Sequence, residues 1–339
     1  MTGNHVEQRL SEPVPLRSTP RTGSERAMKT FIRAAEIWVP TEDGSALRYL
    51  DGLYGPLDQF RQVSERMRFA FDQGLPGKAW ASGHPIILKE FENSYFRRTE
   101  AAKAVGLTCG VALPVLAGDR LSAVVVFFCG DDEAHVGAVE LWHNDPDVSY
   151  EMRLVDGYYG TADMFEFNSR YTRFPRGFGL PGRVWKSNMP MIVKDLYRSK
   201  AFLRWQQAME VGINRGLGIP YPHASGHTWV MTFLSARDTP LARRFEIWVP
   251  NEARDALIFH AGDCDQNTLL EADYASARID RGDGTIGEVW RSGIPAVRAS
   301  MAGDTSAAGR SATAAGLDTM VAVPIFDQRG PKAIVVWYF

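Results

Sequence analysis

The string Gly-Leu-Pro-Gly-Lys-Ala-Trp at residues 74–80 returns as Gly-Leu-Pro-Gly-Arg-Val-Trp at 179–185 and, altered, as Gly-Thr-Ile-Gly-Glu-Val-Trp at 284–290, 105 residues apart each time. Four further landmarks keep the same order around it. A Glu-Ile-Trp or Glu-Leu-Trp strand begins at Glu36, Glu140 and Glu246; a proline closes a short stretch at Pro85, Pro190 and Pro295. A small-residue segment reaches Gly106, Gly212 and Gly316, and an apolar strand carries Pro114, Pro220 and Pro324. Fixed order at a fixed period means that one structural unit is repeated three times. The expected boundaries are a disordered tail over 1–28 and units over 29–133, 134–240 and 241–339, the third degenerate. A chain of 339 residues has room for three such units.

Within the first unit, 32–39 and 46–54 read as strands joined by the turn-rich Thr-Glu-Asp-Gly-Ser. Residues 57–71 hold a strand or a short helix, and Gly74 to Gly77 suit a tight turn with positive φ or a close backbone approach. A short helix follows, then a brief strand, then a helix over 96–105 ending at Gly106, and an antiparallel apolar pair closes the unit. The fold class is therefore α/β in the α+β sense: three units, each a five- or six-stranded antiparallel sheet with helices and loops on one face.

Composition excludes several function classes. A net charge of −2 gives no electrostatic footprint for nucleic acid or an anionic membrane. No apolar run is long enough to span a bilayer, and the first residues contain no apolar signal core. Three cysteines are too few and odd in number for a disulfide scaffold, so a reducing cytoplasm is expected.

The Gly-Leu-Pro-Gly-Arg-Val-Trp turn, the Ser-Gly-x-Pro stretch with its short strand, the helix ending in a small-small-Gly-Leu stretch, the strand with proline and the apolar strand after it resemble the pattern of GAF domains. The second unit matches best. The first has Lys78 where the second has Arg183, and the third has Ile286 and Glu288 where the second has Pro181 and Arg183. The resemblance implies a fold used for sensing nucleotides, tetrapyrroles, haem, small anions or amino acids, with a pocket between the sheet and the connections around the repeated turn.

The repeated motif residues Gly74, Gly77, Trp80, Gly179, Gly182, Trp185, Gly284, Gly287 and Trp290 read as structural, because they recur while their polar neighbours change. The turn lacks the spacing of a phosphate loop. A ligand site is expected where the units differ. The second unit concentrates Tyr158, Tyr159, Phe165 and Phe174 with Arg170 and Arg176, and the residues assigned to its pocket are Phe167, Tyr171, Arg173, Phe178, Tyr197, Phe202, Trp205 and Arg215. Aromatic walls with arginines suit a planar or anionic ligand; an aromatic core face beside solvated arginines is the other reading. Cys109, Cys129 and Cys264 read as buried thiols, Cys129 at the end of an apolar strand. His223 and His227 lack a third ligand, so no metal is expected. No catalytic residue is assigned and the cofactor is left unnamed.

No kinase, cyclase, phosphodiesterase or DNA-binding segment is read in the chain. The expected function is a cytoplasmic sensory or regulatory protein, not an enzyme, that binds a small molecule and acts on a separate partner protein, with homo-oligomerisation open. The alternatives are an assembly scaffold that binds no ligand and a thiol enzyme of the free-methionine-sulfoxide-reductase type. Residues 124–128, 229–234 and 333–338 are apolar on both faces while the links between units are short. The missing cover must come from a neighbouring unit or chain. One variant has the first strand of a unit pair with the last strand of the unit before it.

Overall fold

The computed structural model describes residues 30–130, 135–199, 202–223, 225–265 and 269–339. The expected tail over 1–28 and the link at 131–134 lie outside these residues.

Each unit runs through the same nine elements. The first contains β1 (Ile32–Pro40), β2 (Ala46–Leu53), α1 (Asp58–Glu65), β3 (Arg68–Ala70), α2 (Gly74–Ser82), β4 (Ile86–Lys89), α3 (Thr99–Ala104), β5 (Leu107–Ala117) and β6 (Arg120–Gly130). The second contains β7 (Gly137–Asn144), β8 (Glu151–Tyr158), α4 (Asp163–Tyr171), β9 (Arg173–Pro175), α5 (Gly179–Ser187), β10 (Met191–Val193), α6 (Trp205–Glu210), β11 (Ile213–Pro222) and β12 (Thr228–Ala236). The third contains β13 (Arg244–Pro250), β14 (Ala256–Cys264), α7 (Leu270–Asp273), β15 (Arg278–Asp280), α8 (Gly284–Ser292), β16 (Ala296–Arg298), α9 (Ala307–Ala314), β17 (Met320–Asp327) and β18 (Gly330–Tyr338). Each set of six strands forms one antiparallel sheet, ordered β3-β2-β1-β6-β5-β4 in the first unit and equivalently in the others.

The repeated Gly-Leu-Pro-Gly string is the first turn of a helix, not a free turn. Gly74, Gly179 and Gly284 enter that helix with φ of 61°, 63° and 58°. The second glycine is required by contact: a Cβ on Gly77, Gly182 or Gly287 would lie 2.2–2.3 Å from the carbonyl oxygen of Ala70, Pro175 or Asp280. Both reasons for glycine that the sequence suggests therefore operate, at different positions.

Pairing is closed within each unit. Ile37 faces Val125, Leu141 faces Met231 and Ile247 faces Val335. The variant with strands exchanged across unit boundaries is thus overturned. The reason is visible in the link before β13: Leu241 and Ala242 are buried in the central core, so this segment crosses a sheet face and does not turn as a hairpin.

Alternation along the central strands divides their side chains between two cores. The back-facing set, including Ile37, Phe127, Leu141, Phe233, Ile247 and Trp337, merges into one cluster shared by all three units. The front-facing sets form three separate clusters beneath the helices. Phe127, Phe233 and Trp337 meet pairwise at the centre with ring centroids 5.2–6.0 Å apart. Each sheet is therefore covered on its back by the other two, as the two-sided apolar strands require.

The units form a closed ring. The first meets the second through Lys89 and Asp156, 2.7 Å apart. The second meets the third through Arg215 and Asp263 at 2.9 Å and through Lys194 and Glu271. The third returns to the first where Ser122 Oγ donates to the Gly293 carbonyl at 2.7 Å.

Candidate functional site

The front core of each unit is built around one carboxylate. On an apolar strand whose alternate residues face the central core, Glu36, Glu140 and Glu246 face the opposite way, into the unit, and all three are fully buried. A buried carboxylate is costly unless paired and hydrogen-bonded. Each receives the Nε1 proton of the tryptophan two residues on: Trp38 at 2.9 Å, Trp142 at 3.0 Å and Trp248 at 2.8 Å.

In the first two units the counter-charge is an arginine at the start of the last helix. Arg98 binds both oxygens of Glu36 at 2.5 and 3.0 Å, and Arg204 binds both oxygens of Glu140 at 2.5 and 2.9 Å. The hydroxyls of Tyr54 and Tyr159 donate to the same carboxylates, each at 3.0 Å, and Thr232 adds a bond to Glu140. Ser64 and Ser169 accept from the arginines. The Arg98 guanidinium lies 4.8–5.8 Å from the rings of Trp38, Phe60, Phe69, Phe96 and Phe128. That of Arg204 lies 4.7–5.6 Å from Trp142, Phe165, Phe174 and Phe202. Such rings favour a desolvated cation. Burial works against the charge on Glu140, yet Arg204 and its other donors hold the carboxyl below its ordinary range. Burial, reinforced by the neighbouring carboxylate, pushes the Tyr54 and Tyr159 phenols far up.

The third unit reaches the same end differently. Counting back from Gly316, Ala308 stands where Arg98 and Arg204 stand; Arg244, on the strand itself, stands where the others have Ala34 and Ala138. Arg244 approaches Glu246 at 3.3 Å, and Tyr274 and Tyr338 each donate to the carboxylate at 2.9 Å. In all three units one guanidinium N–H, the Nε of Arg98, Arg204 or Arg244, is buried without a hydrogen-bond partner.

The residues expected to form a pocket in the second unit are dispersed. Phe202 is buried beside Arg204 and Tyr197 is half-buried against the same core. Phe167, Tyr171, Phe178 and Trp205 are exposed on the outer surface. Arg173 is exposed and donates to the carbonyls of Arg170 and Thr172. Arg215 points to the back of the sheet, where it pairs with Asp263 and donates to the Ala242 carbonyl at 3.0 Å. The repeated Trp80 and Trp185 are only half-buried, whereas Trp290 is buried. The fully buried tryptophans common to the units are instead Trp38, Trp142 and Trp248. The residues that sequence reasoning passed over are the glutamates and arginines; a glutamate recurring on an otherwise apolar strand was the available signal.

A second concavity lies where the units converge. It has a volume of about 560 Å³ and is lined by the three equivalent prolines Pro114, Pro220 and Pro324 with Phe71, Trp80, Tyr221 and Phe326. The three cysteines are buried, Cys109 and Cys129 opposite one another on β5 and β6. His143 Nε2 lies 3.0 Å from His227 Nδ1, and both rings stack in a series with Trp229 and His84. Burial and the neighbouring His227 lower His143 to about 4. No group of three metal-ligating side chains occurs among the described residues.

A family model described as GAF domain matches residues 21–141. No curated protein matches the chain. Among solved structures, a GAF domain of A. aeolicus Nlh2 in an inactive state is 19% identical, with 29% of this chain and 58% of that one covered and a TM-score of 0.24. A free methionine-R-sulfoxide reductase from Neisseria meningitidis is 18% identical, covering 31% and 53%, with a TM-score of 0.24. A mutated NreA protein from Staphylococcus aureus, altered in its nitrate-binding site, is 14% identical, covering 32% and 79%, with a TM-score of 0.26. This chain thus spans somewhat over half the length of the first two.

Proposed function

We propose that this chain, three tandem GAF-like units closed into a ring, is a regulatory protein that acts on a separate partner through protein contacts and takes no small molecule inside its units. One observation carries the reading. The space between sheet and helices, where the family resemblance places a ligand, holds a buried Glu–Arg pair with its aromatic and hydroxyl shell in every unit. To admit a ligand there, a unit would have to part the pair, and a buried charge left without its partner costs about 3–5 kcal/mol. Buried thiols at Cys109, Cys129 and Cys264 give no support to a thiol enzyme. The test is native mass spectrometry of the freshly purified chain, followed by a thermal-shift screen of small molecules. The expected mass is that of the polypeptide. A compound whose stabilising effect disappears in Arg98→Met, Arg204→Met or Arg244→Met overturns the reading, because binding to the native state raises stability by mass action.

A second reading has its own observation. The cavity of about 560 Å³ at the convergence of the three units has an aromatic and proline lining and is of a size that small molecules occupy. A ligand there would sense the arrangement of the units, not the interior of one. It would be recognised by a thermal shift that is lost in Trp80→Ala and kept in the arginine variants.

A further inference from the structure

We propose that the concavity where the three units converge takes a small organic cation, a guanidinium or ammonium on an apolar body, held against Trp80 and Phe71. This rests on the second reading above, that a ligand binds between the units, and it names the chemistry of that ligand.

The other two units hold a cation of their own at the equivalent place. Nine positions before the repeated tryptophan stands Arg176 in the second unit and Arg281 in the third. The Arg176 guanidinium lies 5.7 Å from the Trp185 ring, and that of Arg281 lies 4.0 Å from the Trp290 ring. Both are within the range of about 6 Å over which a ring face attracts a cation. The first unit has Phe71 there. In every unit this residue directly follows the three-residue strand β3, β9 or β15, so the backbone that presents it is equivalent. Phe71 is 58% exposed, and its ring lies 5.2 Å from that of Trp80 with the planes at 81°. Lys78 does not replace the missing arginine: it lies over the Tyr95 ring and pairs with Asp72 at 2.8 Å. Among the described residues, then, the tryptophan of the first unit lacks the cation that its two counterparts have.

The surroundings select the sign of charge. Of the three repeated tryptophans, Trp80 is the one that lines the cavity of about 560 Å³, and Tyr221 and Phe326 bring a further ring from each of the other units. No lysine or arginine lines this cavity; Asp119, Asp327 and His223 do. Asp119 is exposed and has no ion pair among the described residues. Asp327 is partly answered by Arg329 at 3.9 Å and by the field of Lys332, so it contributes less. His223 shares a hydrogen bond with Ser225 at 2.7 Å and bears charge only when protonated. Arg120, next to Asp119 in the chain, lines a different concavity. An anion here would meet carboxylates and no fixed cation, and a neutral molecule would gain nothing from Asp119. A cation on an apolar body is matched both by the ring faces and by the carboxylate.

The experiment is isothermal titration of the full chain with N-acetyl-arginine amide. Its control is N-acetyl-citrulline amide, which has nearly the same shape without the charge. The arginine amide is expected to bind about tenfold or more tightly than the citrulline amide. Phe71→Arg writes the second unit's residue into the first and so supplies the cation internally; it is expected to weaken binding by about tenfold or more. Asp119→Asn is expected to weaken it by about threefold. Both positions are exposed, and an unchanged melting temperature verifies that the variants fold. Absence of binding at millimolar arginine amide, equal binding of the two probes, or binding that Phe71→Arg leaves intact overturns the proposal. A neutral or anionic compound whose thermal shift is lost in Trp80→Ala also overturns it but leaves the second reading standing. That reading fails only if no compound of any charge depends on Trp80.

Discussion

The second and third units neutralise the same buried glutamate with arginines from different places. In the second, Arg204 comes from the start of α6 and grips Glu140 through two oxygens at 2.5 and 2.9 Å. In the third, Arg244 comes from the strand that carries Glu246 and makes one contact at 3.3 Å, the phenols of Tyr274 and Tyr338 supplying the rest. The alanine and arginine have exchanged positions: Ala138 with Arg204 in one unit, Arg244 with Ala308 in the other. The carboxylate is thus the fixed demand and the source of the cation is free, provided that the guanidinium reaches it without water.

The most severe way to break this comparison is to remove either cation. Arg204→Met and Arg244→Met are each expected to destabilise the chain by about 3–5 kcal/mol, because an uncompensated carboxylate stays buried. Urea denaturation measures it. Adding Ala138→Arg to Arg204→Ala moves the third unit's solution into the second and is expected to recover part of the loss. No recovery would show that the two positions are not interchangeable. The pH dependence has a definite sign. Glu140 is held below its ordinary value in the folded state. Its stabilising contribution is therefore present above the ordinary carboxyl pKa and is lost as pH falls through the lowered one. The double variant Glu140→Gln with Arg204→Met should flatten the acid limb of the stability curve.

A smaller effect tests what the two units share. Gly182→Ala and Gly287→Ala place a Cβ 2.2 and 2.3 Å from a backbone oxygen, so equal losses of about 2–3 kcal/mol are expected in each. Unequal losses in thermal unfolding would mean that the third unit yields more easily.

The smallest expected effect belongs to the seam between them. Lys332 of the third unit is largely buried and donates to the carbonyl of Asn188 in the second. Burial lowers its ammonium to about 8, with Asp327 opposing. A base whose folded pKa is depressed binds fewer protons folded than unfolded, so stability should rise as pH climbs from about 8 toward the ordinary lysine value. With screening by nearby water, about 1 kcal/mol is expected. Denaturation midpoints at pH 7.5 and 9.5 measure the slope, and Lys332→Met should abolish it.

Much of the fold was legible. The positions of Gly74 and Gly77 predicted positive φ and close approach, and both occur. Gly106 was read as a helix terminus and follows α3 with φ of 70°. The candidate site was far less legible. Phe167, from the stretch before the repeated turn, and Phe202 and Arg215, from beyond it, group only through where the family resemblance places a pocket; a helix periodicity, a buried core and a strand's alternate face send them in three directions. Glu140 and Arg204 are separated by 64 residues in the chain, and no local rule joins them.

By itself the sequence determined the number of units, their glycine-dependent turns and the fact that their central strands are apolar on both faces. These follow from steric and periodic rules that act over a few residues. Only the tertiary structure decided that the three back faces cover one another around Phe127, Phe233 and Trp337, and that each front face closes over an ion pair. Alternation says which side chains share a face, but what lies opposite that face depends on how the chain returns through space. The same buried charge can then be met from a helix start in one unit and from its own strand in another.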